Sequence, residues 1–156
     1  MYKTIVVAIG STIMTDDAVG HFVLRELQKR DIPADFSDLD TDIFRLRLDY
    51  NNHQHIIIVD ALVGYEDPGT VKVFSFDEFH ERLEGKIWSP HLLGVIEALD
   101  IMRTVDEDMA KATVHLVGIV VEKLDVGMEL TENVASSIIS AADSVEKIVR
   151  EYAKTS

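Results

Sequence analysis

Four consecutive β-branched residues lead directly into a carboxylate in the segment Ile56-Ile57-Ile58-Val59-Asp60. Such a run is typical of a strand that is covered on both faces, as in the middle of a parallel α/β sheet. Ligands of open α/β sheets bind at the carboxyl ends of the strands, so the run predicts that Asp60 lies at that edge. A charge this close to a buried sheet is costly without a partner, which favours a functional role. The alternative is that Asp60 accepts hydrogen bonds from the turn at 61–64.

Strand-like and helix-like segments alternate along the rest of the chain. Strands are predicted over 4–9, 36–40, 56–60, 70–75 (an edge strand) and 114–121. Helices are predicted after Asp16 or Asp17, over 43–50, after Ser89-Pro90, and from an N-cap at Thr131 onward. This order predicts an α/β three-layer sandwich, in which a twisted, mostly parallel sheet of about five strands carries helices on both faces.

Length and charge restrict the classes of function that are open to this chain. Its 156 residues fit one domain, 1–156, with a real hydrophobic core. The net charge of −13 disfavours binding to nucleic acid or to anionic lipid. The chain has no cysteine, which excludes disulfides, thiolate metal sites and a cysteine nucleophile. No apolar run approaches the length of a membrane span, so we expect a cytoplasmic protein without membrane insertion, acting as a monomer.

Two carboxylates and an imidazole are candidates for a divalent-metal site. Asp16 and Asp17 follow the first predicted strand; alone, they are best explained as helix caps, but one can cap while the other faces the sheet edge. His91 begins a predicted helix, where the positive helix end favours the neutral, metal-binding imidazole. Together with Asp60, three mixed oxygen and nitrogen ligands suit zinc, nickel or a related ion.

Other motifs give weaker signals. The segment Gly10-Ser11-Thr12 hints at a phosphate loop, but neither of the common glycine-rich phosphate-binding patterns is present. No nucleophile elbow occurs. The remaining histidines are weaker candidates for ligands; His21 lies near the start of the first helix, where a surface position is favoured over a supporting role.

Five segments, in this order, resemble the hydrogenase maturation proteases. Residues 10–20, Gly-Ser-Thr-Ile-Met-Thr-Asp-Asp-Ala-Val-Gly, are similar to the family pattern G-N-x-L-x-x-D-E/D-x-x-G. The other four are Ile57-Ile58-Val59-Asp60-Ala61, Pro68-Gly69-Thr70, Ser89-Pro90-His91-Leu92-Leu93-Gly94 and Leu116-Val117-Gly118-Ile119. The likeness covers nearly the whole chain.

The resemblance implies an endopeptidase that removes the C-terminal extension of the [NiFe]-hydrogenase large-subunit precursor. By the resemblance, Asp17, Asp60 and His91 are the metal-contacting and catalytic positions. The implied metal is the nickel that the substrate already carries, for which zinc or cadmium can substitute in crystals. A carbonyl polarised by the metal, or a metal-bound water of lowered pKa, would drive hydrolysis without a side-chain nucleophile.

The sequence departs from the family pattern at three places. Ser11 replaces the usual asparagine, and Asp17 stands where many members have glutamate. The family's glycine-bearing turn, D-G-G-T or D-x-G-T, is thought to help recognise the substrate; here Asp38-Leu39-Asp40-Thr41-Asp42 has no glycine. The resemblance implies substrate binding by Asp38, Asp40 and Thr41, and either Asp38 or Asp40 can match the family acid. The departure points to a divergent hydrogenase class, such as a coenzyme F420-reducing or membrane-bound type.

Two other functions remain open at this stage. One is a noncatalytic module that binds the nickel-loaded precursor without cutting it. The other is a small-molecule α/β enzyme that binds an anionic ligand at the Gly10 loop. We rank the protease ahead of both.

Overall fold

The computed structural model describes residues 2–10, 18–64, 67–78, 87–88, 92–121 and 131–154. Within these ranges the sheet has six strands. They are β1 (Thr4–Ala8), β2 (Asp35–Asp38), β3 (His55–Gly64), β4 (Val71–Ser75), β5 (Ile87–Trp88) and β6 (Thr113–Val120).

Five strands form a continuous path in the order β2-β1-β3-β6-β4, and the two-residue strand β5 pairs with the far end of β3. Strands β1, β2, β3 and β6 run parallel to one another, whereas β4 is antiparallel to β6 and β5 is antiparallel to β3. The expected mostly parallel α/β sandwich is therefore confirmed, with β4 as the expected edge strand.

Helices cover both faces of the sheet. The described helices are α1 (Val19–Gln28), a 3₁₀ turn (Ile43–Arg45), α2 (Leu46–Asp49), α3 (Leu92–Val105), α4 (Glu107–Lys111), α5 (Glu132–Ser136) and α6 (Ile138–Lys154). Alternation along β3 divides the core: Ile57 and Val59 pack with residues of α1 and α6, whereas Ile56 and Ile58 pack with residues of α3. The β-branched run is thus buried on both faces, as its composition predicts.

Three local predictions differ from the structure. Strand β3 does not end at Asp60 but continues to Gly64. The predicted single final helix is two helices, separated at the buried Ser137, whose hydroxyl donates to the carbonyl of Val134 at 2.5 Å. Helix α4 was not predicted; Asp106 caps it by accepting a hydrogen bond from the amide of Met109. No helix among the described residues is long and apolar enough to cross a membrane.

Helices α1 and α6 are tied together by one arginine that lies between them. The Arg30 guanidinium contacts carboxylates of Asp143 at 2.9 Å and Glu146 at 3.0 Å on α6, and of Glu26 on α1 at 3.3 Å. These contacts fix α1 over the sheet, and its first turn reaches the carboxyl end of β1 and β3.

Candidate active site

Three parallel strands reach the carboxyl edge of the sheet at different heights. Ala8, the last residue of β1, is in register with Asp38 on one side and with Val59 on the other. Strand β2 ends at Asp38, whereas β3 continues. Asp38 and Asp60 therefore flank the end of β1, about 10 Å apart across two strand spacings.

Asp60 is a fully buried carboxylate in the central strand, with an exposed fraction of 0%. It is opposite Gly118 of β6, and its side chain lies on the face of β3 that also carries Ile58 and Leu62. That face is covered by helix α3, which begins at Leu92. Asp60 lies just beyond the carboxyl end of β1, but it is inside β3 and not at the end of that strand, where the sequence predicted it.

On one side of β3, the neighbouring strand changes from β1 to β5 just beyond Val59. Asp60 lies at this change of neighbour. β1 pairs with β3 as far as Val59, and β5 pairs on the same side from Val63 onward. Backbone groups of alternate residues point to the same side of a strand, so the Ala61 amide faces the gap between β1 and β5. The Asp60 Oδ1 atom accepts a hydrogen bond from this amide at 2.7 Å. The alternative role considered from sequence, a bond to the following backbone, is therefore realised here.

The first turn of α1 approaches the same edge unusually closely. A Cβ atom on Gly20 would lie 2.8 Å from the carbonyl oxygen of Val59 and 3.2 Å from that of Ile9. Only glycine fits this contact without moving backbone. The described helix begins at Val19, after Ala18, which makes no side-chain cap hydrogen bond. Asp16 and Asp17, the caps predicted from the sequence, lie outside the described residues.

Asp38 and Asp40 hold the turn after β2 in place. Asp38 Oδ1 accepts a hydrogen bond from the Asp40 amide at 3.1 Å, and the Asp40 carbonyl accepts one from the Gly10 amide at 2.6 Å. Asp40 has φ 53°, in the left-handed region that favours glycine. Thr41 is exposed beside it.

Asp38 also contacts His21, a residue for which the sequence favoured a surface position. Nδ1 of His21, in the first turn of α1, forms a hydrogen bond with Asp38 Oδ2, and the two side chains are 21% and 32% exposed. No sequence spacing indicates this pair, because it depends on how α1 lies across β2.

Asp16, Asp17 and His91 lie outside the described residues, so the proposed metal-binding trio is represented only by Asp60. Among the residues that the structure describes, no group of three histidine, cysteine, aspartate or glutamate side chains is arranged to hold a metal ion. The trio therefore remains a prediction.

Three other histidines lie at the opposite edge of the sheet, near the amino ends of β3 and β6. His53 is 3% exposed, and its Nε2 atom is 2.7 Å from the Asp35 carboxylate. His55 stacks on Tyr152 of α6, with ring centroids 3.5 Å apart, and the hydroxyl of Tyr152 contacts His115 at 3.1 Å. Their positions exclude them from the carboxyl edge.

Comparisons with known proteins agree with this architecture. A family model described as hydrogenase maturation protease matches residues 22–148, a stretch that includes Asp60 and His91 but begins after Asp17. Protein FrxA of Pyrococcus furiosus is 37% identical over 138 residues, which cover 88% of this chain and 98% of that protein. The hydrogenase 2 maturation protease of Escherichia coli is 32% identical over 153 residues, covering 96% and 92%.

Solved structures give the same picture. The [NiFe] hydrogenase maturation protease HybD from Thermococcus kodakarensis superposes with a TM-score of 0.88 at 34% identity, covering 96% of this chain and 99% of that one. The hydrogenase maturating endopeptidase HybD from E. coli superposes with a TM-score of 0.80 at 28% identity, covering 97% and 94%.

Proposed function

Because the chain belongs to the hydrogenase maturation protease family, whose members are peptidases that act on hydrogenase large-subunit precursors, we propose that it trims one such precursor in the cytoplasm. The reaction adds water across one peptide bond. It leaves a new carboxylate on the large subunit and a new amino terminus on the released C-terminal extension. The substrate is the precursor of a [NiFe] hydrogenase that already carries nickel.

The observation that carries this proposal is the fully buried Asp60 carboxylate in the central strand, just beyond the carboxyl end of the neighbouring strand β1. Ligands of open α/β sheets enter at this edge, where α1 and α3 also begin. The Ala61 amide fixes the direction of this carboxylate, so the side chain loses less freedom when it binds a cation. A nickel ion presented by the precursor is a cation of the right chemistry for an oxygen ligand.

We assign nickel recognition jointly to Asp17, Asp60 and His91. Asp60 supplies the buried oxygen ligand, and the other two supply a second carboxylate and an imidazole nitrogen. Docking through the metal would place the scissile peptide bond beside the edge. There, polarisation of its carbonyl, or a lowered pKa of a water on the same ion, promotes hydrolysis.

The turn that follows β2 is proposed to read the protein part of the substrate. The left-handed backbone of Asp40 supports matching it to the glycine of the family turn D-x-G-T. Asp38 then matches the family acid, and Thr41 matches the threonine. Asp40 in place of glycine therefore adds a side chain but keeps the left-handed backbone of the turn. This supports the proposal that the turn still binds substrate.

The test compares nickel-loaded and nickel-free precursor by intact-mass spectrometry. We expect wild-type protein to shorten only the loaded form. Asp60→Asn and His91→Ala should each slow the shortening by at least about 10²-fold, as expected for loss of one group that acts on the reacting centre. Asp108→Asn, an exposed aspartate on α4, is the matched control and should process normally.

Each outcome separates the alternatives. Binding of loaded precursor without shortening would replace the protease by a noncatalytic module. Equal shortening of nickel-free precursor would remove nickel from recognition. Normal processing by either variant would remove that residue from the site.

A further inference from the structure

We propose that His21 is a positioning residue, which holds the Asp38 carboxylate for a basic side chain of the precursor; this rests on the function proposed above. The pair joins two elements that meet only in the folded protein. His21 lies in the first turn of α1, and Asp38 is the last residue of β2. Both side chains are partly exposed, so an approaching segment can reach them.

Both oxygens of Asp38 are engaged, and this determines the direction of the carboxylate. Oδ2 accepts from His21, while Oδ1 accepts from the Asp40 amide at 3.1 Å. An ionised carboxylate can only accept hydrogen bonds, so the His21 proton resides on Nδ1. Each oxygen retains capacity for a further donor, because a carboxylate offers about four acceptor positions.

The fixed direction matters for binding because an unrestrained aspartate must lose side-chain freedom when it captures a ligand. With His21 and the Asp40 amide in place, this loss occurs during folding and not during docking. The same residue therefore binds more tightly without making any new contact with the substrate.

The charge around the pair selects the kind of group that would bind. Asp40 and Asp42 lie on the same turn as Asp38, and the whole chain carries a net charge of −13. An anionic group would be repelled there, whereas a lysine or arginine side chain would gain a charge-assisted hydrogen bond. Asp38 lies on the face of the sheet that α1 covers, whereas Asp60 lies on the face that α3 covers. A precursor docked at Asp60 would therefore reach Asp38 with a segment that crosses the end of β1.

A purely structural role of His21 makes a different prediction. If the pair only ties α1 to β2, its loss lowers stability and leaves KM unchanged. If His21 positions Asp38, its loss raises KM for the precursor and leaves kcat unchanged, because binding is affected before the reacting bond.

The experiment measures precursor-shortening kinetics for four variants: His21→Ala, His21→Asn, Asp38→Asn and the His21→Ala/Asp38→Asn double variant. We expect His21→Ala to raise KM by up to about tenfold, which corresponds to the cost of ordering one side chain on binding. His21→Asn, whose side-chain amide can replace the Nδ1 donor, should recover most of the loss. The double variant should be no worse than Asp38→Asn alone, because the two residues act as one unit. His55→Ala, which removes a histidine from the opposite edge, is the control and should keep the wild-type KM.

A spectroscopic measurement tests the arrangement independently of activity. Long-range ¹H–¹⁵N NMR should show the Nδ1–H tautomer of His21 in the wild type and its loss of preference in Asp38→Asn. A wild-type KM in His21→Ala, or an Nε2–H tautomer of His21, would overturn the inference while leaving the protease function in place. Failure of the wild type to shorten any loaded precursor would instead overturn the proposed function and this inference with it.

Discussion

Replacing Gly20 by alanine should loosen the carboxyl edge of the sheet without touching a candidate catalytic group. The added methyl group would lie 2.8 Å from the Val59 carbonyl oxygen and 3.2 Å from that of Ile9. Both are backbone atoms where β1 ends beside the central strand, and they cannot move aside as a flexible side chain could. Helix α1 must therefore shift outward by about half an ångström, which weakens the dispersion contacts of its buried face.

The size of the effect follows from two opposing contributions. Overpacking against a rigid neighbour costs about 1–3 kcal/mol. Alanine is favoured over glycine within a helix by up to about 1 kcal/mol, and less at a first turn. The free energy of unfolding should therefore fall by about 1–2 kcal/mol, which with a urea slope of roughly 2 kcal/mol/M lowers the midpoint by about 0.5–1 M.

Gly94→Ala is the matched control for urea unfolding followed by circular dichroism. Gly94 is exposed near the start of α3, and a Cβ atom there would meet nothing within 4 Å. Only the preference of alanine over glycine in a helix remains, so the free energy of unfolding of this variant should rise by up to about 1 kcal/mol. Gly20→Ala should also slow precursor shortening, since the displaced Val59 carbonyl immediately precedes Asp60. A Gly20→Ala protein as stable and as active as the wild type would refute the close-approach argument.

Two further predictions concern backbone conformation and pH. Asp40→Ala should lower the free energy of unfolding by about 1 kcal/mol in the same urea assay, because alanine resists the left-handed region, whereas Asp40→Gly should not lower it. Burial lowers the pKa of both His55 and His115; the nearby positive charges of His115 and Lys3 lower that of His55 further, and Glu78 opposes the shift at His115. Because both folded-state pKa values lie below the ordinary value near 6.5, the unfolded chain binds more protons as the pH falls through about 6.5, and stability should decrease. Urea midpoints measured between pH 8 and 5 should show a smaller decrease in His115→Gln; an unchanged profile would contradict the assignment.

The strands could be predicted because the local composition of each segment indicates that it is buried. The β-branched runs that became β1, β3 and β6 need only a sheet covered on both faces to be explained. The predicted end of β3 is wrong for a related reason. The charge of Asp60 suggests the end of a strand, but the apolar residues that follow continue the same strand to Gly64. Asp60 is a single buried charge inside an apolar run, and it therefore lies within β3 and does not mark the end of the strand.

The candidate site was only partly predictable. Burial of Asp60 at the carboxyl edge followed from the run that precedes it. The His21–Asp38 contact could not be predicted from the sequence, because it depends on how α1 crosses β2. No sequence pattern links the two residues. The assignment of Asp40 to the glycine place required its backbone angle. The roles of Asp17 and His91 stay predictions.

The two outermost strands of the described sheet resist lateral extension by foreign chains. Strand β2 is only four residues long and has an aspartate at each end, while β4 carries Lys72 between its valines. Short, charged borders discourage the edge-to-edge pairing that leads to aggregation. The proposed substrate is a precursor that still carries its C-terminal extension. Short, charged outer strands would let this extension bind near Asp60 without pairing with β2 or β4 as an additional strand.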